Sequence, residues 1–396
     1  MNKLIISTCG TSVLTNGLRE CQADFPRHGD HSLLKLTNRR ESELSADEKA
    51  WMGTLRRLVE EKLEALWQTG NITGLKRSSA ELNTILGYYG DRFPVSGGPD
   101  HHYFLGTDTC AGGMVAGIMR ELFVRHGIAA TSHVCEDLRT SSASDFRRGV
   151  TKLFRFLSME IEGWKRSGYE IVFQLSGSFK SFQGFMQTLG MFSADEILYI
   201  FETSDELIRI PRIPIRLDDL FQRMSPDELS LVRLLLVRDV DSSQPEYERV
   251  CRLSRDIPLL FDEVKDDSSR MIGLSPWGAL YWEREKRNLY TGRLLASPMP
   301  DRIEYGPGFS GSVERICGRE SSRWYMLNER IDDFAAYLDS GKNPRRLDFK
   351  PYRGKGRLPS DHEIDAWAES PAHRIFLHRD GGSGRWILDC LDEGDH

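Results

Sequence analysis

A turn of sequence Gly-Ser-Phe-Lys at residues 177–180 joins two segments suited to buried strands, residues 169–175 and 197–201. Between these segments, apolar residues recur at helical spacing, namely Phe182, Phe185, Met186 and Leu189. The pattern predicts a βαβ unit whose helix starts at the turn, where backbone N–H groups lack partners and a partial positive charge accumulates. Gly177 lets a ligand approach the backbone and Lys180 adds a full charge, so the turn predicts an anion site. A tight turn with a solvated lysine is the alternative interpretation.

The amino terminus predicts a second polar strand end. Residues 3–6 are a strand candidate, and the loop that follows contains Thr8, Cys9, Gly10, Thr11 and Ser12. Its hydroxyl, thiol and N–H groups suit a phosphate or a ribose. Because doubly wound sheets bind ligands outside the carboxyl ends of their strands, we expect this loop and the turn at 177–180 to face one crevice. The loop has neither the G-x-G-x-x-G nor the P-loop spacing, so a dinucleotide or nucleoside triphosphate fingerprint is absent.

Four segments, in this order, resemble a CARF domain, the Rossmann-like sensor of cyclic oligoadenylate in type III CRISPR defence. They are STCGTS at 7–12, LGTDTCAGGMVAG at 105–117, GSFK at 177–180 and ELIRIPRIPI at 206–215. The resemblance covers residues 1–215 and implies an α/β fold with a parallel sheet. It also implies a homodimer in which one cyclic oligoadenylate, most often the tetra-adenylate, lies between paired crevices as an allosteric activator.

The CARF resemblance assigns the ligand site residue by residue. Thr8, Cys9, Gly10, Thr11 and Ser12 would line the messenger, and Gly177, Ser178, Phe179 and Lys180 would hold its phosphates. Some CARF domains also degrade their own messenger. Ser12 and Lys180 could align a ribose 2′-hydroxyl and stabilise the phosphorane, so we expect slow ring nuclease activity from the sensor.

The last hundred residues are basic at their centre and carry a different pattern. Seven basic residues face one acidic residue between Lys342 and Arg357. An amphipathic helix at 324–338 precedes this run, and alternating segments around a Gly-Gly-Ser-Gly turn follow it, which predicts an antiparallel meander. A compact α+β module over residues 301–396 is expected. A lone charge run is more often only a solvated face.

The order of these elements resembles the RelE/YoeB toxin superfamily of ribosome-dependent mRNA endonucleases. The carrying residues are GKNP at 341–344 after the helix, GKGR at 354–357, the HRIFL strand at 373–377 and the terminal His396. The resemblance implies that the RNA's own 2′-hydroxyl attacks the adjacent phosphate without a metal cofactor. This chemistry needs a cation for the phosphorane, a base for the 2′-hydroxyl and an acid for the leaving oxygen.

The RelE resemblance also assigns roles. Arg374 would stabilise the transition state, His396 would act as acid, and Glu363 or His362 would act as base. The RNA would be bound by Lys350, Arg353, Lys355 and Arg357. Some relatives place two lysines before the strand arginine where this chain has Asp365 and Trp367, and the usual terminal tyrosine is missing.

Short motifs typical of other effector classes also occur in the sequence. Arg357 with His362, and Arg120 with His126, satisfy the Arg-to-His spacing of HEPN ribonucleases, although HEPN is an all-helical domain. The run Asp-Glu-Val-Lys at 262–265 has the acid-x-Lys spacing of magnesium-dependent restriction-like nucleases. A transcription regulator or adaptor that reads DNA through residues 216–300 is a third hypothesis, for which Arg284, Lys286 and Arg287 supply basic charge.

Length and composition fit more than one domain. The chain has 396 residues and a net charge of −6, which by itself does not indicate nucleic-acid binding. We expect a sensor at 1–215, a mainly helical connector at 216–300 and an effector at 301–396, with residues 17–50 as an exposed excursion. Seven scattered cysteines without C-x-x-C argue against a disulfide framework or a zinc site. No signal peptide or membrane span is visible, so a cytoplasmic protein is expected.

Overall fold

The computed structural model describes residues 2–20, 33–140, 142–177, 179–200, 206–212, 219–265, 270–354, 357, 359–369 and 371–394. The chain forms two compact units, Met1–Arg216 and Leu217–His396. Within the described ranges, no helix is both long enough and apolar enough to cross a membrane.

The first unit is built on a six-stranded sheet. Its strands are β1 (Asn2–Thr8), β2 (His101–Thr107), β3 (Ala129–Cys135), β4 (Tyr169–Gln174), β5 (Glu196–Ile200) and β6 (Leu207–Pro211). They lie in the order β3-β2-β1-β4-β5-β6, with every neighbouring pair parallel except β5 and β6. This is the order of a doubly wound sheet, in which β1 and β4 flank the point where the winding reverses. The expectation of an α/β fold with a parallel sheet is confirmed.

Helices connect and cover these strands. They are α1 (Ser12–Glu20), α2 (Leu33–Leu36), α3 (Ala46–Gln68), α4 (Ile72–Ser78), α5 (Ala80–Tyr88), α6 (Cys110–Arg125), α7 (Ala143–Arg166) and α8 (Lys180–Ser193). The prediction that residues 17–50 are an exposed excursion is wrong in part. Leu36 and Leu44 are buried and belong to the same core as Leu55 and Val59 of α3. Isolated leucines in a polar stretch have no periodicity, so the sequence pattern could not reveal their burial.

The second unit begins with three helices and a small sheet. The helices are α9 (Pro226–Val237), α10 (Tyr247–Asp256) and α11 (Pro276–Tyr290), and the strands are β7 (Val240–Asp241), β8 (Phe261–Lys265) and β9 (Arg270–Leu274). The strands are antiparallel in the order β7-β9-β8. The helices were expected in the connector, whereas the sheet was not predicted because its strands are only two to five residues long.

A five-stranded sheet completes the second unit. Its elements in chain order are β10 (Ile303–Tyr305), α12 (Phe309–Cys317), α13 (Ser321–Ser340), β11 (Lys350–Pro351), β12 (His362–Trp367), β13 (His373–Arg379) and β14 (Trp386–Glu393). The strands lie in the order β10-β14-β13-β12-β11, and only β10 and β14 are parallel. The predicted meander is therefore present, preceded by a strand and a helix that were not predicted. One hydrophobic core includes residues from both sides of the expected boundary at 300, such as Leu235 and Phe334.

The five-stranded sheet has one apolar and one polar side. Ile364 of β12, Ile375 of β13 and Leu388 of β14 belong to the core that also contains Phe309 of α12 and Phe334 of α13. Side chains alternate along a strand, so their neighbours point away from the helices. We call this second side the polar face; its residues are Glu363, Asp365, Arg374, Phe376, His378, Asp389, Cys390 and Asp392.

Candidate functional site

A cavity of about 590 Å³ lies at the carboxyl ends of β1, β2 and β4. The register that pairs Ser7 with Gln174 places the ends of β1 and β4 side by side, so the two predicted loops meet there. Six predicted residues line the cavity: Cys9, Gly10, Thr11, Ser12, Gly177 and Phe179. Ten further lining residues were missed in the sequence: Thr15, Thr37, Asn38, Ala80, Thr107, Thr109, Gly112, Arg139, Thr140 and Ser176. Thr107 ends β2 and Thr109 follows it, and the position of β2 beside β1 becomes visible only in the sheet.

Thr8 connects the loop after β1 to the turn after β4 through a hydrogen bond. It is fully buried, and its Oγ1 donates to the carbonyl oxygen of Gly177 at 2.8 Å. A Cβ atom at Gly177 would collide with the carbonyl of Thr8 and the carboxyl group of Glu81. Glycine is therefore required here for close packing of the protein on itself, in addition to any approach by a ligand.

Glu81, near the start of α5, holds the first loop and was not predicted as a site residue. Its carboxyl group accepts from the N–H of Gly10 at 2.6 Å, from Ser79 Oγ at 2.5 Å and from Ser12 Oγ at 3.3 Å. Burial raises the pKa of Glu81, while the hydrogen bonds from Gly10 and Ser79 lower it. The Gly10 amide and the Ser12 hydroxyl, both predicted to face the ligand, are thus bonded to this buried carboxyl group.

The start of α8 keeps its anion-binding groups available. Phe179 occupies the N-cap position and its side chain provides no capping hydrogen bond, so the first N–H groups of α8 have no side-chain cap among the described residues. Lys180 is exposed at the first position of this helix, and none of the described residues pairs with it. Ser178, the remaining residue predicted for this site, lies outside the described residues.

Two other groups of the cavity, the Arg139 guanidinium and the Cys9 thiol, do not offer free charge. Arg139 pairs with Asp145 at 3.0 Å and with Glu43 at 2.9 Å. Cys9 is buried, and burial raises the pKa of its thiol well above the ordinary range, so the thiol stays protonated. Lys180 does not itself line the cavity, but it directly follows Phe179, which does, so the α8 start and Lys180 supply positive charge beside the described part of the crevice.

Arg374, predicted to stabilise a transition state, lies on the polar face among carboxylates. Its Nη1 is 2.8 Å from Asp365, 3.3 Å from Glu363 and 3.5 Å from Asp348. Lys350 bonds to Asp348 and lies 3.7 Å from Glu363. The hydrogen bond from Lys350 lowers the pKa of Asp348, whereas burial raises that of Asp365 against the influence of Arg374. The structure thus joins Arg374 with Glu363, and a phosphate would have to replace a carboxylate at the guanidinium.

His362 lies on the other side of the sheet. Its ring stacks on Phe349 with centroids 5.0 Å apart and meets the edge of Trp386 at 5.0 Å. Its Nδ1 is 2.7 Å from Asp361. Because His362 and Glu363 are consecutive residues of one strand, they point to opposite faces, and the structure does not bring His362 to Arg374. His396, predicted as the acid, lies outside the described residues.

Two described residues of the predicted RNA-binding loop, Lys350 and Arg357, contact the polar face. The guanidinium of Arg357 lies 4.1 Å from the centroid of the Phe376 ring and pairs with Asp392 at 2.7 Å. Lys350 belongs to the cluster around Arg374, whereas Arg353 is exposed. Lys355 lies outside the described residues. Arg353 is therefore the predicted RNA-binding cation most open to solvent among those described.

The motifs that suggested HEPN ribonucleases, restriction-like nucleases or DNA-binding regulators lie on secondary-structure elements that do not suit those classes of protein. Arg357 is in a loop and His362 is on β12, while Arg120 and His126 belong to α6 and its C-cap, where His126 stacks on Trp67. The acid-x-Lys run lies on β8, and no group of three or more His, Cys, Asp or Glu residues suited to a metal occurs in the described ranges. Lys286 donates to Glu329 at 2.9 Å rather than standing free for DNA.

One family comparison gives a match. Residues 76–213 match the family described as CRISPR-associated protein (Cas_APE2256). The match supports the interpretation that this chain is a CRISPR-associated protein. The match covers less than half of the chain; it includes Glu81, the sheet strands β2 to β6 and the start of α8, and excludes the loop after β1. A comparison with curated proteins gives no match.

Proposed function

We propose that the chain is an endoribonuclease of type III CRISPR antiviral defence that cyclic oligoadenylate activates. Residues 1–215 would sense the messenger, most often cyclic tetra-adenylate, and residues 301–396 would cut mRNA on the ribosome. The observation that carries the proposal is the crevice at the winding reversal of a doubly wound sheet, part of whose lining lies in the segment that matches a CRISPR-associated family.

The crevice suits a nucleotide ring. Exposed Lys180 and the uncapped start of α8 provide charge and N–H donors for phosphate. Hydroxyl groups of Thr107, Thr109 and Thr140 line the cavity and suit ribose. A cavity of about 590 Å³ has the size that holds a drug-sized ligand, so a ring of four adenylates needs more space than one crevice. A homodimer that shares one ring between two crevices meets this requirement.

The polar face suits attack by an RNA 2′-hydroxyl. Glu363 is a carboxylate base candidate 3.3 Å from Arg374, and Arg374 carries a charge suited to the phosphorane. The proposed reaction uses no metal cofactor. Messenger binding activates the reaction only if it favours the active state over the resting state, because equal affinity for both states shifts nothing.

Purified full-length protein should be tested for RNA cleavage with each cyclic oligoadenylate ring size, with and without ribosomes. We expect cleavage to require a messenger and to be strongest with the tetra-adenylate and ribosomes. Lys180→Ala should lose activation at low messenger concentration, and Lys152→Ala, which removes an exposed lysine of the same unit, is the matched control. Absence of stimulated cleavage with every ring size would overturn the proposal.

Messenger degradation is a second proposed activity of the sensor. Ser12 accepts from the N–H of Ala80 at 3.1 Å and donates to Glu81, so its hydroxyl is oriented by two neighbours, while Lys180 is free to contact phosphate. We expect slow conversion of cyclic tetra-adenylate to linear products by the full chain, and slower conversion by Ser12→Ala. An intact ring after prolonged incubation with the wild type would contradict this activity.

An adaptor function is the second candidate, and the surroundings of Arg374 favour it. Three carboxylates compensate the guanidinium, which is also the arrangement of a purely structural ion cluster. An adaptor would respond to the messenger without cutting RNA. Arg374→Ala with unchanged signalling and unchanged cleavage would favour this alternative.

A further inference from the structure

A histidine and an aspartate form a pair on the polar face that neither sequence motif included. The Nδ1 atom of His378 lies 2.9 Å and 3.1 Å from the two carboxylate oxygens of Asp389. Ser360 Oγ donates to the same carboxylate at 2.7 Å. The His378 side chain is 22% exposed, and its Nε2 makes no hydrogen bond within the described part of the chain. The ring is therefore fixed at one nitrogen while the other remains available.

A bulge in the sheet creates this pair. Phe376 pairs with Cys390, but the next residue, Leu377, pairs with Leu388, so Asp389 is an extra residue in β14. A bulge re-aims side chains of its strand, and such bulges are over-represented beside active sites. Here the extra residue directs the Asp389 carboxylate to the side of the sheet that His378 occupies. Without the extra residue, strict alternation along β14 would direct Asp389 to the opposite side of the sheet, away from His378.

The position of the pair suits RNA. His378 follows Arg374 by four residues on the same strand, about 13 Å along it at ~3.3 Å per residue. Between them Phe376 carries the guanidinium of Arg357 at 4.1 Å from its ring centroid. The face thus presents an available imidazole and Arg374 on one strand, with Arg357 of the loop stacked on Phe376 between them. The carboxylate of Glu363 already contacts Arg374 and Lys350, whereas Nε2 of His378 makes no hydrogen bond within the described residues, so His378 is the better-placed proton acceptor.

We propose that His378 is the proton-accepting catalytic residue of the effector and that Asp389 is its positioning residue; this rests on the proposed ribonuclease function. The 2′-hydroxyl gives its proton to Nε2 of neutral His378 while its oxygen bonds to phosphorus and the bond from phosphorus to the 5′-oxygen breaks. The leaving oxygen takes a proton from water, and the proton that His378 later releases neutralises the resulting hydroxide. The products are a 2′,3′-cyclic phosphate and a 5′-hydroxyl.

Asp389 acts through His378 in this scheme. Its carboxylate holds the proton on Nδ1, which keeps the Nε2 lone pair free, and it stabilises the imidazolium after proton transfer. Other titratable or charged groups around the pair are Asp361 before β12, Asp380 in the turn after β13, Cys390 on β14 and Arg357 in the loop. They stay unchanged in an Asp389 variant, so the effect of one carboxylate can be isolated.

The test measures messenger-activated RNA cleavage by the full chain between pH 5 and 8.5. His378→Gln should lower the rate at least ~100-fold, the effect typical of general base removal. Asp389→Asn should lower kcat ~10-fold with little change in KM, because the carboxylate orients the ring through Nδ1 and does not contact the RNA. His373→Gln is the matched control, since His373 lies on the same strand but is buried on the apolar side, and it should keep the wild-type rate and pH profile.

Folding and function are separated by two further measurements. Thermal unfolding shows whether each variant is folded, and added imidazole should restore part of the rate of His378→Ala if only the acceptor is missing. Stimulated cleavage by the wild type together with a wild-type rate for His378→Gln would overturn this inference alone. A wild type that never cleaves RNA would overturn the proposed function and this inference together. A wild-type kcat for Asp389→Asn would remove the role of Asp389.

Discussion

The crevice of the first unit and the polar face of the second use charge in opposite ways. At the crevice the acidic group, Glu81, is buried and bonded to the loop, while Lys180 is exposed and unpaired among the described residues. On the polar face the cation, Arg374, is largely covered and surrounded by three carboxylates. Under the proposed function, the crevice would therefore attract an anion directly. The polar face can bind phosphate only by exchanging one ionic partner for another.

This difference has an energetic consequence. A free cation gains a charge-assisted hydrogen bond when phosphate arrives, whereas a compensated cation gains only the difference between phosphate and carboxylate. We therefore expect ligand affinity to depend on single charges at the crevice. At the polar face, single charges should affect the reaction rate more than RNA affinity.

The largest effect is expected at Arg374. Arg374→Ala should lower messenger-activated cleavage ~100-fold, the loss typical of one preorganised charge-stabilising group, and leave RNA binding nearly unchanged. Single-turnover rates and RNA affinity measure the two quantities separately. Arg374→Lys, which keeps a charge beside the three carboxylates, controls for destabilisation of the cluster. Cleavage by Arg374→Ala at the normal rate would contradict the catalytic role of Arg374. It would also remove the expected difference between a rate effect at the polar face and an affinity effect at the crevice.

The next effect is expected at Lys180. Lys180→Ala should weaken cyclic tetra-adenylate binding ~10-fold or more, because a charge-assisted hydrogen bond contributes about 1.5–3 kcal/mol. Calorimetry with Lys152→Ala as the matched control tests this. An unchanged dissociation constant would show that the crevice does not use the start of α8.

A smaller effect is expected in the basic loop. Neutralising Lys350, Arg353 and Arg357 together should weaken RNA or ribosome binding and make it less salt-dependent. Because Lys350 and Arg357 are ion-paired, Arg353→Ala alone should account for most of the change, reducing the slope of log affinity against log salt by about 0.7 for single-stranded RNA. If Lys350→Ala, Arg353→Ala and Arg357→Ala each reduce the slope equally, the ion pairs of Lys350 and Arg357 do not prevent these cations from binding RNA.

The buried carboxyl group of Glu81 should appear in the pH dependence of stability. Burial raises its folded-state pKa, so the stability that neutral Glu81 contributes is present below its unfolded pKa and is lost as the pH rises through the folded pKa. Glu81→Gln cannot titrate, so its stability relative to the wild type should increase over that interval, by about 1.4 kcal/mol per unit of pKa shift. Thermal unfolding of both proteins between pH 4 and 8 measures the difference. A constant difference would contradict the raised pKa.

No change is expected when divalent metals are removed. Cleavage should proceed in excess EDTA and leave 2′,3′-cyclic or 3′-phosphate ends, because the proposed reaction proceeds through proton transfer and an arginine. End-group analysis of the products tests this. A magnesium requirement with 5′-phosphate ends would favour the acid-x-Lys run at 262–265 instead.

Much of the secondary structure could be predicted because it depends on neighbours in the chain. The helix α5 spans Ala80–Tyr88, and Ser79, a residue type favoured at the N-cap, accepts from the N–H groups of Glu81 and Leu82. The βαβ unit around the 177–180 turn follows from apolar runs and helical spacing, and its two strands are adjacent and parallel. Periodicity and capping are local properties, so a single sequence contains them.

The contents of the two candidate sites were decided only by tertiary structure. Glu81 reaches Gly10 across 71 residues, and its type alone gives no sign of this contact. His362 and Glu363 are adjacent and equally suited to be a base by chemistry, yet the sheet sends them to opposite faces. The pairing of His378 with Asp389 depends on one extra residue in β14. Strand alternation has a period of two, so a shift of one residue in register reverses which side chains meet, and local sequence does not determine that register.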